Sequence, residues 1–445
     1  MLGKPDPVAR RRSVGSCVKA RHARAAGTSC SPSAPVGERP GEGLSPADES
    51  VSPTVSAARS LRIAVVGPLH PFRGGIALHG AEMAAAADRA GHDVRVLSYA
   101  RLYPGFLFPG RTQLDPDSAP AAVRSIEQRA LLDSCTPWRW PRAARWLTAW
   151  RPDVVVLQRW HPFFAPALAT VARALRRRGA LIVWMVHNAL PHEGSRWLWR
   201  PLARLGYAAG DVCLTHAQSE LHELRALGIP SHVRHVPHPA PAATTTARAA
   251  VDESRAALGI AEGEALFVFV GYVREYKGVD VLLDALVRLD AEGPSWRAII
   301  AGEWYVDRTA ADRLVSQPPL AGRVRIDDRY LPGEDVARVL AAATVVVLPY
   351  RSGTQSGVVP LAYAHGRGVI TTRVGGLAEA VREGETGLLV PPGDPVALAD
   401  ALERVRRGFR FSPAAIDAMR DRARWSAFVD VLEELADEHS RSSRP

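Results

Sequence analysis

The chain has few cysteines and no long apolar run, and each shortage removes a class of protein. Its four cysteines, Cys17, Cys30, Cys135 and Cys213, are scattered without a Cys-x-x-Cys pair or the rhythm of a metal site. That spacing argues against a disulfide framework or structural zinc and points to a reducing compartment, the cytoplasm. No apolar stretch approaches the ~20 residues a membrane span requires, and no secretory hydrophobic segment is present. The net charge of +10 comes with arginine far in excess of lysine and with much alanine and glycine. There is no helix-turn-helix, no RNA-recognition signature and no aromatic-basic alternation of the kinds usual in nucleic-acid binders. A biased composition accounts for the charge, so no nucleic-acid partner is expected. Contact with an acidic surface, such as an anionic membrane leaflet, fits it better.

What is present is enough for two domains. At 445 residues, 47% hydrophobic and 23% charged, the chain has the balance of an ordinary globular protein. Residues 1–60 are rich in Pro, Ser, Gly, Ala and Arg without apolar periodicity, so disorder is expected there. Their Arg10-Arg11-Arg12 run fits a membrane contact, a targeting remnant or translation from an upstream start. From Leu61 a strand, a glycine loop (Gly67 to Gly75), a helix and a second strand (Asp93–Ser98) form a βαβ unit, and the rhythm recurs. Strands are expected at Val154–Gln158, Ile182–Val186, Val212–Thr215 and Val233–Pro237, closing a first domain over 61–240. The rhythm restarts at Ala265–Val270, Trp296–Ala301, Val324–Ile326, Val345–Leu348, Val369–Thr372 and Leu388–Val390, a second domain over 247–412. A last helical segment, Pro413 to Glu438, carries an apolar stripe of Trp425, Phe428, Val431 and Leu432. The expected fold class is α/β: two doubly wound parallel sheets, with ligands in the cleft at their carboxyl ends.

The most informative stretch runs from Val345 to Pro392. A buried strand feeds a loop of small polar residues, Ser352 to Gly357, then a helix, a second strand, and a Gly375-Gly376 turn opening another helix. Backbone N–H groups and a helix dipole at such a junction suit an anion, so the segment reads as a phosphate holder.

This block resembles the nucleotide-sugar half of retaining glycosyltransferases of family 4, which have the GT-B fold. The match lies in Gly366, Val369, Ile370, Gly375, Gly376, Thr386 to Val390 and Gly393-Asp394. The family's two glutamates fall instead on Gly353 and Leu361, and Thr354-Gln355-Ser356-Gly357 resembles a bacterial branch of the family. Gly271-Tyr-Val-Arg-Glu-Tyr-Lys-Gly278 resembles the family's diphosphate motif, with Lys277 on its lysine, Tyr272 on its arginine and Arg274 as substitute. The resemblance implies that Lys277 and Arg274 hold a diphosphate; the plain alternative is a surface turn with two solvated cations. Ser356 and its loop either complete that cradle or merely cap a helix. Gly74-Gly75 matches the family's N-domain glycine loop, or is a plain turn. His187, at a strand end, matches a family histidine facing the donor sugar, or is a histidine satisfied by backbone; His192 and Glu193 are candidates for the acceptor side. Across GT-B proteins the terminal helix crosses back onto the first domain, and the same is expected here.

Eight of the eleven tryptophans lie between Trp138 and Trp199, interleaved with arginines. That mixture suits a membrane surface carrying a polyprenyl-diphosphate acceptor, or it is core packing with exposed arginine. Asp115-Pro-Asp117 lacks the flanking strand of a metal site, and no metal or other cofactor is expected. Together the resemblance and the residues imply a metal-independent, retaining hexosyltransferase. It would take a nucleotide-diphosphate sugar and a lipid-linked or glycan hydroxyl acceptor in cell-envelope or exopolysaccharide assembly. Its expected place is the cytoplasm, with peripheral contact at the inner face of the membrane. Two other readings remain: a degenerate scaffold in a polysaccharide assembly complex, or a nucleotide-sugar epimerase or hydrolase.

Overall fold

A computed structural model describes residues 60–103, 112–114, 123–191, 196–229, 232–240, 248–289 and 292–442. The expected disorder of 1–60 falls outside the described residues except for Ser60, and the Asp115-Pro-Asp117 loop falls wholly outside them. β-Branched runs become two parallel sheets. The first has strands β1 (Arg62–Val66), β2 (Asp93–Arg101), β3 (Glu127–Asp133), β4 (Val154–Arg159), β5 (Leu181–Val186), β6 (Val212–Thr215) and β7 (His232–His235). They lie in the order β3-β2-β1-β4-β5-β6-β7. The second has β8 (Ala265–Val270), β9 (Trp296–Ala301), β10 (Val324–Asp327), β11 (Val345–Leu348), β12 (Val369–Thr372) and β13 (Gly387–Val390), in the order β10-β9-β8-β11-β12-β13. Central strands are buried on both faces because helices cover both sides, which is why β5, β8 and β11 are apolar throughout and β4 is apolar as far as Leu157.

Strand β3 escaped the sequence reading. Its sequence, EQRALLD, sits on the sheet edge with its first five residues exposed, so it has no apolar run to announce it. The expected single helix from Pro413 to Glu438 is instead two helices, Pro413–Arg422 and Trp425–Ser442. The chain breaks at Ala423, whose carbonyl accepts a hydrogen bond from Ala240 N at 2.8 Å, a contact made only in the tertiary fold. Trp425, Phe428 and Leu432 are buried in the core of the first sheet beside Met83 and Ala84, so the terminal helix packs on the first lobe. Val429, Leu435 and Ala436 complete that face.

The strand order decides where ligands can sit. It reverses between β1 and β4 in the first lobe and between β8 and β11 in the second. The crevice of a doubly wound sheet opens outside the carboxyl ends of such strands. Four loops therefore line the opening: those following β1 (67–74), β4 (160–161), β8 (271–278) and β11 (349–357). Three of the four are the glycine-bearing segments singled out in the sequence.

Candidate functional site

The loop after β8 carries the two expected cations. Lys277 ends a short 3-10 turn, and its Nζ lies 5.3 Å from the centre of the Tyr350 ring. Burial lowers the Lys277 ammonium, and nearby Arg274 adds to this against an opposing pull from Tyr276. Burial thus penalises this charge, and an anion beside it would relieve the penalty. The Arg274 guanidinium lies 4.8 Å from the Tyr305 ring centre. Its charge also opposes the upward push that burial exerts on the Tyr103 phenol of the first lobe.

Tyr272, at the position of the missing family arginine, stacks on Tyr305 (5.1 Å between ring centres) and on Tyr330 (6.1 Å). Burial and these two neighbours push its phenol far up, so it stays neutral. Against this stack stands the loop after β1. Gly74 has φ +106°, a backbone only glycine adopts comfortably, and a Cβ there would stand 3.5 Å from the Tyr272 hydroxyl oxygen. Gly75 opens the helix Gly75–Arg89 and faces no atom within 4 Å of an added Cβ.

The Thr-Gln-Ser-Gly loop has more engagements than its sequence suggested. Thr354 Oγ1 donates to Asn188 Oδ1 at 2.7 Å, and Gln355 Nε2 donates to the His187 carbonyl at 3.1 Å. Both bonds cross from the second lobe to the first. Ser356 Oγ accepts from Val358 N and pairs with the Tyr350 hydroxyl, each at 3.3 Å. Lys277 and Ser356 thus flank one tyrosine. The following helix, Val358–Ala364, has only seven residues, so its dipole alone is small. Further along, the exposed Glu379 carboxylate accepts from Gln218 N (2.6 Å) and Ser219 N (3.0 Å), capping a helix of the other lobe.

His187 lies deeper than a bare strand-end histidine. It is buried, and its Nε2 donates to Gln158 Oε1 at 3.2 Å. Burial and then His238 lower its imidazole to about 3, so it is neutral at physiological pH. It belongs to a cluster with His79, His216 and His238. His79 and His216 share a hydrogen bond of 2.9 Å between Nε2 atoms, and the His79 ring centre is 4.8 Å from that of His187 and 5.6 Å from that of His238. Trp425 of the terminal helix packs 4.9 Å from His79. Gly80 lies so close to Gln158 that a Cβ there would collide with its amide. Despite these imidazoles, among the described residues no three His, Cys, Asp or Glu side chains are arranged to hold a metal ion.

His192 and Glu193 lie outside the described residues. The sequence reading missed His79, His216, His238, Gln158 and the pair Arg73–Glu303, whose Nη2–Oε2 distance is 2.5 Å. A signal was present: His187, His216 and His238 follow three successive parallel strands, β5, β6 and β7, and Glu303 follows β9.

Most of the tryptophan-arginine region is packing: Trp184 is fully buried, and Arg95 stacks on Trp146 and Trp150 at 5.7 and 4.9 Å. Trp138 and Trp197 are the exceptions, 75% and 70% exposed. Among the described residues no helix is long and apolar enough to cross a membrane.

Comparison with known proteins places these features in context. The family model "Glycosyltransferase Family 4" matches residues 73–242, and "Glycosyl transferases group 1" matches residues 264–407. A D-inositol 3-phosphate glycosyltransferase of Corynebacterium diphtheriae is 36% identical over 166 residues, 35% of this chain and 37% of that protein. D-inositol 3-phosphate glycosyltransferase 1 of Catenulispora acidiphila is 31% identical over 291 residues, 59% of this chain and 67% of that protein. The chain thus spans well under half of the first of these relatives and about two thirds of the second. Among solved structures, Anabaena Alr3699/HepE in complex with UDP superposes with a TM-score of 0.67 at 16% identity, over 85% of this chain and all of that one. Sucrose-phosphate synthase from Thermosynechococcus elongatus gives 0.65 at 20% identity, over 86% of this chain and all of that one. At these identities the likeness concerns the fold, which is GT-B.

Proposed function

The chain belongs to glycosyltransferase family 4, and from that premise we propose that it moves a hexose from a nucleotide-diphosphate sugar to a hydroxyl acceptor with retention. The acceptor is lipid-linked or a glycan, and the setting is cell-envelope or exopolysaccharide assembly. The observation that carries the donor half is that buried Lys277 shares Tyr350 with Ser356 and feels the charge of Arg274, whose guanidinium stands on Tyr305, the ring stacked on the Tyr272 that Gly74 meets. As the glycosidic C–O bond of the donor breaks, negative charge grows on the departing diphosphate. Lys277 and Arg274 neutralise it, with Gly74, Gly75, Thr354, Gln355, Ser356 and Gly357 shaping the cradle around it. His187, neutral and held by Gln158, offers a hydrogen bond to a sugar hydroxyl. His192 and Glu193 are assigned to the acceptor. Retention follows from attack on the face the diphosphate leaves.

Exposed Trp138, Trp197, Leu198 and Leu205, set among arginines, support peripheral contact with an anionic membrane where such an acceptor resides. A scaffold reading draws support from Gly353 and Leu361, which stand where carboxylates would, and from the interlobe bonds of Thr354 and Gln355.

A thermal-shift and calorimetric panel of UDP-, GDP- and dTDP-sugars tests the proposal. A ligand at about 100 Kd should stabilise the fold by about 2.7 kcal/mol, and Lys277→Ala should abolish most of that shift. Binding with turnover upon addition of a lipid acceptor supports the transferase. No binding to any nucleotide sugar favours the scaffold.

A further inference from the structure

Arg73 precedes the Gly74-Gly75 turn, and its side chain crosses from the first lobe to the second. Its Nη2 donates to Glu303 Oε2 at 2.5 Å, and its guanidinium carbon lies 5.1 Å from the Tyr330 ring centre. Both charges are withdrawn from water, the two side chains being 8% and 2% exposed. A guanidinium that served only to tie two lobes would direct its buried N–H groups at acceptors. Here the buried Nε–H has no acceptor among the described residues.

The surroundings identify the missing acceptor. The next residue, Gly74, meets Tyr272, and Tyr272 stacks between Tyr305 and Tyr330. Burial and Glu303 push the Tyr305 phenol up, while the charges of Arg73 and Arg274 and a hydrogen bond from Arg73 oppose them, so both guanidiniums stand beside this phenol. The charges also match. Arg73, Arg274 and Lys277 set against Glu303 leave two net positive charges, and the pyrophosphate of an activated sugar carries two negative ones. Without Arg73, the buried Glu303 carboxylate would face the diphosphate uncompensated.

We propose that Arg73 is a donor-site residue. Its Nε–H edge donates to the diphosphate in the place that Tyr272 leaves uncharged, and Glu303 is the positioning residue that holds the guanidinium. This rests on the donor reading above. No bond is made or broken in this binding step. Because Arg73 belongs to one lobe and Lys277 to the other, the diphosphate draws the lobes together.

Calorimetry on the full chain with UDP, GDP and dTDP, their monophosphates and their nucleosides provides the test. Arg73→Gln should weaken diphosphate binding by roughly 10- to 100-fold, the range of a hydrogen bond to a charged group, and leave nucleoside binding nearly unchanged. Glu303→Gln keeps an oxygen acceptor that holds the guanidinium while removing a competing negative charge, and should leave diphosphate binding unchanged or tighter. A mere lobe tie predicts that both glutamine variants weaken every ligand alike, and that result overturns the assignment. Should Arg73→Gln not fold, Arg73→Lys serves: it keeps the charge without the planar fork and should narrow the diphosphate-to-monophosphate affinity ratio. An unchanged ratio overturns the assignment. If the unaltered chain binds no nucleoside diphosphate, the donor reading itself falls. If it binds and Arg73→Gln binds equally well, only the role of Arg73 falls.

Discussion

Lowering the pH from 7.5 to 5.5 should cost the first lobe about 4 kcal/mol of stability, a figure that follows from its buried histidines. His79, His187 and His216 are enclosed; burial foremost, then neighbouring imidazoles, hold each below the usual histidine range, His187 at about 3. In the unfolded chain each titrates near ~6.5. The unfolded state therefore binds protons that the folded state refuses. Stability is fully present above the unfolded value and is lost as the pH falls toward the folded one. Across this window each histidine that stays neutral accounts for somewhat over 1 kcal/mol, or on the order of 4 kcal/mol for three. His238 acts in the same direction, as does the less enclosed His161, and His365 does so in the second lobe. Glu82, raised by burial, acts oppositely, and the lowered Asp133 and Asp335 titrate beneath the window. Against a typical total of roughly 5–15 kcal/mol, the loss is large. Urea unfolding followed by tryptophan fluorescence reports it, because eight of the eleven tryptophans lie in the first lobe between Trp138 and Trp199. His79→Gln should reduce the pH-dependent loss by about a third. Equal stability at both pH values, or an undiminished loss in His79→Gln, would refute the reasoning.

Three further outcomes are expected. Gly74→Ala should destabilise the fold by about 1–3 kcal/mol through its positive φ, whereas Gly75→Ala, with open space around it, should be near neutral in the same unfolding assay. Glu379→Ala removes a carboxylate cap from two amides across the lobes and should cost about 0.5–2 kcal/mol in thermal unfolding. Lys277 is the only lysine among the described residues, so a UDP-sugar that occupies the site should slow its acylation in peptide mapping; labelling unaffected by any nucleotide sugar would count against the Lys277 assignment.

The legible part of this protein was local. Strands β8 and β11 begin and end where their apolar runs do, because strands buried on both faces favour apolar residues at every position. The Gly74-Gly75 turn and Lys277 were legible for a related reason. Backbone that must take positive φ, or carry a cation at a strand end, leaves its mark in consecutive residues. Edge strand β3 lacked that mark, and the terminal segment was read as one helix because its break depends on Ala240.

What the sequence alone determined, then, was the α/β alternation, the two sheets and the loops at their carboxyl ends. Only the tertiary structure brought Arg73 to Glu303, 230 residues away, and gathered four histidines from four separate segments behind the cleft. It also turned Thr354 and Gln355 toward the opposite lobe. The reason is physical: periodicity and turn chemistry act over a few residues, whereas the pairing of a buried charge or imidazole depends on which strand ends the fold sets side by side.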